Sequence, residues 1–116
     1  MNKLTKIILL NGDIYSDKRG NLKYVNKFIF KGVKRFYQID LPKKNIIRAF
    51  HGHLLESKSV FVVSGSLLLC VVKLTDSKNP SRKIKVKKII LKSSNPQVCE
   101  IPQGFANGIM SLEKDT

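Results

Sequence analysis

Helical periodicity is almost absent from this chain. Apolar residues fall instead in short runs rich in β-branched and aromatic side chains, and clusters of Gly, Pro, Asn, Asp and Ser separate the runs. That rhythm predicts an all-β fold, with strands over residues 6–10, 21–25, 34–40, 46–52, 59–63, 67–74, 83–91, 97–101 and 108–112. Turn chemistry lies between them, at 16–21, at Leu41-Pro42-Lys43-Lys44-Asn45, and over the long polar stretch 76–81. Many short strands at regular spacing imply a sandwich or barrel, the architectures that limit exposed sheet edges. Periodicity does not choose between the two.

A chain of 116 residues is the size of one domain, so residues 1–116 are read as a single unit. Its longest apolar run, 60–72, is broken by Ser64-Gly65-Ser66 and is too short to cross a bilayer as a helix. Only four apolar residues, Ile7 to Leu10, follow the N-terminal lysines, which is no signal-peptide core, so a cytoplasmic location without membrane attachment is expected. Cys70 and Cys99 stand in apolar surroundings without CxxC spacing and read as buried free thiols.

The net charge of +14 favours polyanions: nucleic acid, an anionic surface or phosphate-bearing small molecules. Much of it alternates with apolar residues, as in Lys83-Ile84-Lys85-Val86-Lys87, and reads as the solvent face of a strand. Tryptophan is absent and the basic residues form no stripe, so nucleic acid is not the expected partner.

The segment before the first long apolar run carries the chemistry. In an extended strand Ile47, Ala49, His51 and His53 share one face, while Ile46, Arg48 and Phe50 share the other. Two imidazoles on one face can ligate a metal, act as acid and base near neutral pH, or simply be satisfied structurally. Spacing alone leaves all three open.

The surrounding residues resemble the first motif of the cupins, which are double-stranded β-helices. Asn45 takes the place of its leading glycine, His51-Gly52-His53 is its HxH, Lys58 stands where a glutamate belongs, and Gly65 follows. Pro102-Gln103-Gly104-Phe105-Ala106-Asn107 is similar to the second motif, with asparagine in place of histidine. A metal-binding cupin offers three imidazoles and a carboxylate; with Lys58 and Asn107 in two of those places, no metal is expected.

Cupins that keep HxH without a metal include the nucleotide-sugar epimerases and ketoisomerases, and the chain resembles them over most of its length. Asp17-Lys18-Arg19-Gly20 resembles their D-x-R-G turn, and Val33-Lys34-Arg35-Phe36-Tyr37-Gln38-Ile39 is similar to a strand of the dTDP-4-keto-6-deoxyhexose 3,4-ketoisomerases. Arg48 to His53 resembles their R-G-x-H-A-H, and Ile101 to Gly108 the I-P-x-G-F-A-H-G of the dTDP-4-dehydrorhamnose 3,5-epimerases. The overall likeness is to the WxcM-like group.

The resemblance implies an RmlC-like jelly roll, with the chain ending before the last strand or strands of such relatives. It implies a cofactor-independent isomerase or epimerase of a dTDP-linked 4-keto-6-deoxyhexose, in sugar biosynthesis for surface polysaccharide. His51, His53 and Tyr37 are then the catalytic candidates, and Arg48, Lys58, Gln38, Arg35 and Asn107 the substrate-binding ones. Gln38 stands where the ketoisomerases have a second tyrosine. The alternative is a cupin that binds a nucleotide sugar or similar anion without turnover. A sheet edge left open by an early chain end would be covered by pairing, so a homodimer is expected.

Overall fold

The computed structural model describes residues 6–53, 55–74 and 85–116. Among them there is no helix; the ordered elements are β1 (Ile8–Asn11), β2 (Asp13–Asp17), β3 (Gly20–Tyr24), β4 (Ile47–His53), β5 (Lys58–Phe61), β6 (Ser66–Lys73), β7 (Val86–Lys92), β8 (Gln97–Ile101) and β9 (Phe105–Ser111). All ladders are antiparallel. A four-stranded sheet runs β4-β9-β6-β7, a three-stranded sheet runs β1-β8-β5, and β2-β3 forms a separate hairpin.

The two larger sheets close on one core, as the jelly roll expected from the motifs requires. Leu67, Leu69 and Val71 alternate inward along β6 beside Ile89 and Leu91 of β7, and meet Cys99 and Ile101 of β8 across the interior. Apolar burial of this kind stabilises by about 25 cal/mol per Å² removed from water.

Three motif positions carry their glycines, or the substitute, for one reason. Asn45, Gly65 and Gly104 all have positive φ, at 66°, 79° and 85°, where a Cβ is costly and glycine or asparagine is tolerated. They reverse the chain before β4, between β5 and β6, and between β8 and β9.

Two expectations are corrected. Residues 34–40 form no strand: they run irregular and exposed, and no strand among the described residues offers them a ladder. The segment is tied down just beyond, where buried Leu41 exchanges backbone bonds with Thr116, Leu41 N–H to Thr116 O at 2.8 Å and Thr116 N–H to Leu41 O at 3.1 Å. Conversely β2, Asp13–Asp17, was not anticipated, since Asp and Ser at three of its five positions read as turn. Of the remaining expected elements, residues 83–84 and the connection 76–81 lie outside the described residues.

Strict alternation along β4 also fails. Arg48 pairs with Ile109 and His51 with Asn107, so two residues, Ala49 and Phe50, oppose the single Gly108. This is a β-bulge. A Cβ on Gly108 would lie 2.8 Å from the Ala49 Cβ and 3.1 Å from the Phe50 ring. Gly108→Val should therefore lower stability by about 1–3 kcal/mol, read as a shifted denaturant midpoint; an unchanged midpoint would mean that Phe50 is not seated over this glycine.

Candidate active site

Residues opposite one another in a ladder share a face, so the register decides what faces the interior. Val71 pairs with Asn107, Leu69 with Ile109 and Leu67 with Ser111. Because Leu67, Leu69 and Val71 belong to the core, this is the inner face of the four-stranded sheet. His51, opposite Asn107, and Arg48, opposite Ile109, therefore both face inward. The alternation read from sequence put Arg48 on the other face; the extra residue of the bulge brings it round. His51 stays exposed at this open edge of the sheet.

Asn107 is only 4% exposed, and its Nδ2 donates to the His51 carbonyl at 3.5 Å. His53 ends β4 opposite Phe105; its side chain lies outside the described residues.

The facing sheet supplies a second group. Lys58 on β5 pairs with Ile101, a core residue, and so points inward from the opposite wall. Its Nζ lies 5.5 Å from the Tyr37 ring centroid, and the Arg35 guanidinium lies 5.0 Å from the same ring. Each contact is a cation–π attraction. The irregular segment before β4 thus brings Tyr37, Arg35 and Lys58 together although it forms no strand. Gln38 is not drawn in; its amide donates to Asp40 Oδ1 at 3.0 Å on the exposed side.

Two inward cations were missed from sequence. Lys87 of β7 pairs with Val71, and Lys73 of β6 pairs with Phe105, so both stand in the inner rows. Lys87 is exposed, as its place in an alternating lysine run implies, although its row in the ladder is the inner one. Its positive charge is felt at Cys99, whose thiol burial pushes up to about 11, with Lys87 drawing it down and Glu100 adding to the rise. The signal was present in the sequence: Lys87 is in phase with the buried Ile89 and Leu91.

Arg48, Lys58, Lys73 and Lys87 thus line the inner rows of these two sheets, and no Asp or Glu occurs in the same rows among the described residues. Nor do three His, Cys, Asp or Glu side chains gather anywhere among the described residues. Such an interior favours an anion.

The D-x-R-G residues form the tip of the β2–β3 hairpin. The Arg19 guanidinium bonds Asp17 at 2.6 Å and holds its carboxyl below the usual range. Beside them is an open surface depression of about 460 Å³, lined by Tyr15, Asp17, Arg19, Gly20, Asn21 and Leu22. No described helix is long and apolar enough to cross a membrane.

Comparison with solved structures gives the same fold. The Mycobacterium tuberculosis RmlC epimerase superposes with a TM-score of 0.76 at 18% identity, over 99% of this chain and 62% of its own. The dTDP-4-dehydrorhamnose 3,5-epimerase of Sulfolobus tokodaii gives 0.71 at 26% identity, over 99% of this chain and 69% of its own. QdtA, a sugar 3,4-ketoisomerase from Thermoanaerobacterium thermosaccharolyticum solved with TDP, gives 0.60 at 21%, over 97% and 85%. This chain therefore spans a little under two thirds of the length of the mycobacterial protein. No curated protein matches it. A sequence model of one family, described as dTDP-4-dehydrorhamnose 3,5-epimerase, matches residues 2–116. With its motif glycines at left-handed backbone, its inward histidine and a match over nearly the whole sequence, the chain belongs to the dTDP-4-dehydrorhamnose 3,5-epimerase family.

Proposed function

We propose that this protein is a metal-independent isomerase or epimerase of a dTDP-linked 4-keto-6-deoxyhexose, working in the cytoplasm as a homodimer in sugar biosynthesis for surface polysaccharide. The observation that carries the reading is the inner lining: an imidazole and four cations with no carboxylate in the same rows among the described residues. A nucleotide sugar brings a diphosphate to be neutralised and a ketone whose neighbouring carbons are acidic.

In the proposed reaction neutral His51 removes a proton from the carbon beside the ketone, and the C–H electron pair moves into an enolate. The negative charge that develops on the former carbonyl oxygen is stabilised by the half-buried Lys58 ammonium. Return of a proton to the opposite face of the same carbon gives the epimer. For the shifted ketone, a proton is added to the enolate oxygen and the hydroxyl proton of the neighbouring carbon is lost, which gives the isomeric enolate; protonation of the former carbonyl carbon then completes the shift. Tyr37 and His53 are the proposed donors, and no electrons are exchanged with a cofactor. Arg48 and Arg35 are proposed contacts to the diphosphate, with Gln38 and Asn107 as further polar contacts.

Asn107 favours keeping a second reading, a binding protein without turnover, because an amide there cannot exchange protons as the family's histidine can. One experiment separates the two. Incubation with a dTDP-4-keto-6-deoxyhexose in deuterated buffer should place deuterium on a carbon beside the ketone. Thermal stabilisation by the nucleotide without any exchange would establish binding alone, and neither effect would remove both readings.

A further inference from the structure

Chain connectivity gives the jelly roll two different ends. Short turns join β5 to β6 and β7 to β8 at one of them, where Val62, Leu67 and Leu91 are buried. The β8–β9 turn lies at the other, together with Lys58 at the start of β5, Lys73 at the end of β6 and Phe105 at the start of β9. Cations gather at this second end.

The β6–β7 ladder closes on Val72 and Val86, so the next residues out, Lys73 and Lys85, leave it as neighbours. Lys87, opposite Val71, stands one inner-row step further in. Lys73 itself pairs with Phe105, which packs against the core, so the three lysines continue the rows of Val71, Ile89 and Leu91. All three are exposed. Cross-strand neighbours have Cβ atoms about 5 Å apart, and diagonal ones about 7–8 Å. Like charges at such distances repel, and no carboxylate among the described residues of these inner rows offsets them. An anion set between the ammonium groups turns the repulsion into attraction.

We infer that Lys73, Lys85 and Lys87 form an outer phosphate site, where the diphosphate of an incoming nucleotide sugar is caught before its sugar reaches His51. The inference rests on the proposed function and adds to it a first contact, distinct from Arg48 and Arg35, the contacts proposed for the bound ligand.

Position favours capture. Lys87 and His51 stand on one rung with Val71 and Asn107 between them. Three inter-strand steps of about 4.8 Å put their backbones about 14 Å apart, at opposite edges of the sheet, which is the place for a first contact and not for a catalytic one. The field of Lys87 nevertheless extends inward: Cys99 of the facing sheet, whose thiol burial pushes up to about 11, feels this ammonium drawing it down. Exposed cations beside a site raise the local concentration of an anionic ligand and its association rate by about 10- to 1,000-fold. Each ammonium also offers several N–H donors, which a diphosphate, with its many oxygens, can accept together.

The test compares two double substitutions in the full chain. Lys73→Gln with Lys87→Gln removes two of the three charges. Lys88→Gln with Lys92→Gln removes the same charge from the outer rows of the same sheet and is the control. Stopped-flow mixing with a fluorescent dTDP derivative should show association about tenfold slower in the first variant at low ionic strength, with a weaker dependence on salt. The control should associate at the parent rate. Calorimetry with inorganic diphosphate should show weaker binding in the first variant only. Without ligand that variant should melt no lower than the parent, because a like-charge contact has been relieved, so slower capture is separated from unfolding.

Parent-like association in the first variant, or equal slowing in both, would overturn the outer site, and the deuterium-exchange experiment on the parent would still judge the proposed function by itself. Binding of inorganic diphosphate through these lysines without any binding of dTDP would overturn the assignment to a nucleotide, and the proposed function with it.

Discussion

Replacing His51 with alanine should cut deuterium incorporation into a dTDP-4-keto-6-deoxyhexose by roughly 10²- to 10⁴-fold, the contribution of a positioned acid–base group. The loss should fall on kcat, because an exposed imidazole at the edge of the sheet adds little to binding the nucleotide, a role proposed for the cations. Thermal stability should stay close to that of the parent, since the side chain faces inward but is not part of the packed core. Stopped exchange by nuclear magnetic resonance, with binding of dTDP followed in parallel, separates the two effects. A variant that exchanges deuterium at the parent rate would remove His51 from the mechanism and shift attention to Tyr37 and His53.

The largest expected loss of stability comes from Leu69→Ala. Leu69 is fully buried, lies in register with Ile89 on one side and Ile109 on the other, and packs in the cluster that joins both sheets. Truncation removes its transfer free energy and leaves a cavity between two sheets held by their ladders. A cost of about 2–5 kcal/mol is expected, a large part of the marginal stability of a domain this size. Equilibrium urea unfolding measures it. A change below about 1 kcal/mol would mean that the sheets close over the gap, a freedom the shared core does not suggest.

Much of the fold could be read from the residues because burial and period reinforce each other. Leu67, Leu69 and Val71 alternate inward as their spacing implies, and the strand Gln97–Ile101 lies where its apolar run put it. The motif glycines were legible because their positions demand left-handed backbone, which few residues supply.

What escaped the sequence depends on partners. Residues 34–40 have a strand's composition, yet a strand exists only if another edge accepts its hydrogen bonds, and composition does not say whether one is at hand. β2 escaped for the opposite reason: its polar residues pair with β3 in a hairpin that buries little.

The site was legible in kind but not in orientation. The cupin resemblance implies an imidazole inside the barrel, and the register puts His51 in an inner row. Arg48 was misplaced because a period of two assumes that every residue has one partner, and a bulge breaks that count without leaving a mark in composition. Lys87 is exposed, as an alternating lysine pattern implies, and yet it stands in phase with the buried Ile89 and Leu91 further along, which a surface reading does not convey.

The extra residue in β4 also acts as a ruler. Arg48 and His51 are three residues apart along the chain, yet their partners Ile109 and Asn107 are only two apart on β9. Their anchor points are therefore separated by about 7 Å instead of about 10 Å, at some 3.4 Å per strand residue. A guanidinium and an imidazole anchored at that interval, on one wall and aimed the same way, are spaced like two successive same-face residues of a regular strand, close enough for both side chains to reach one small ligand.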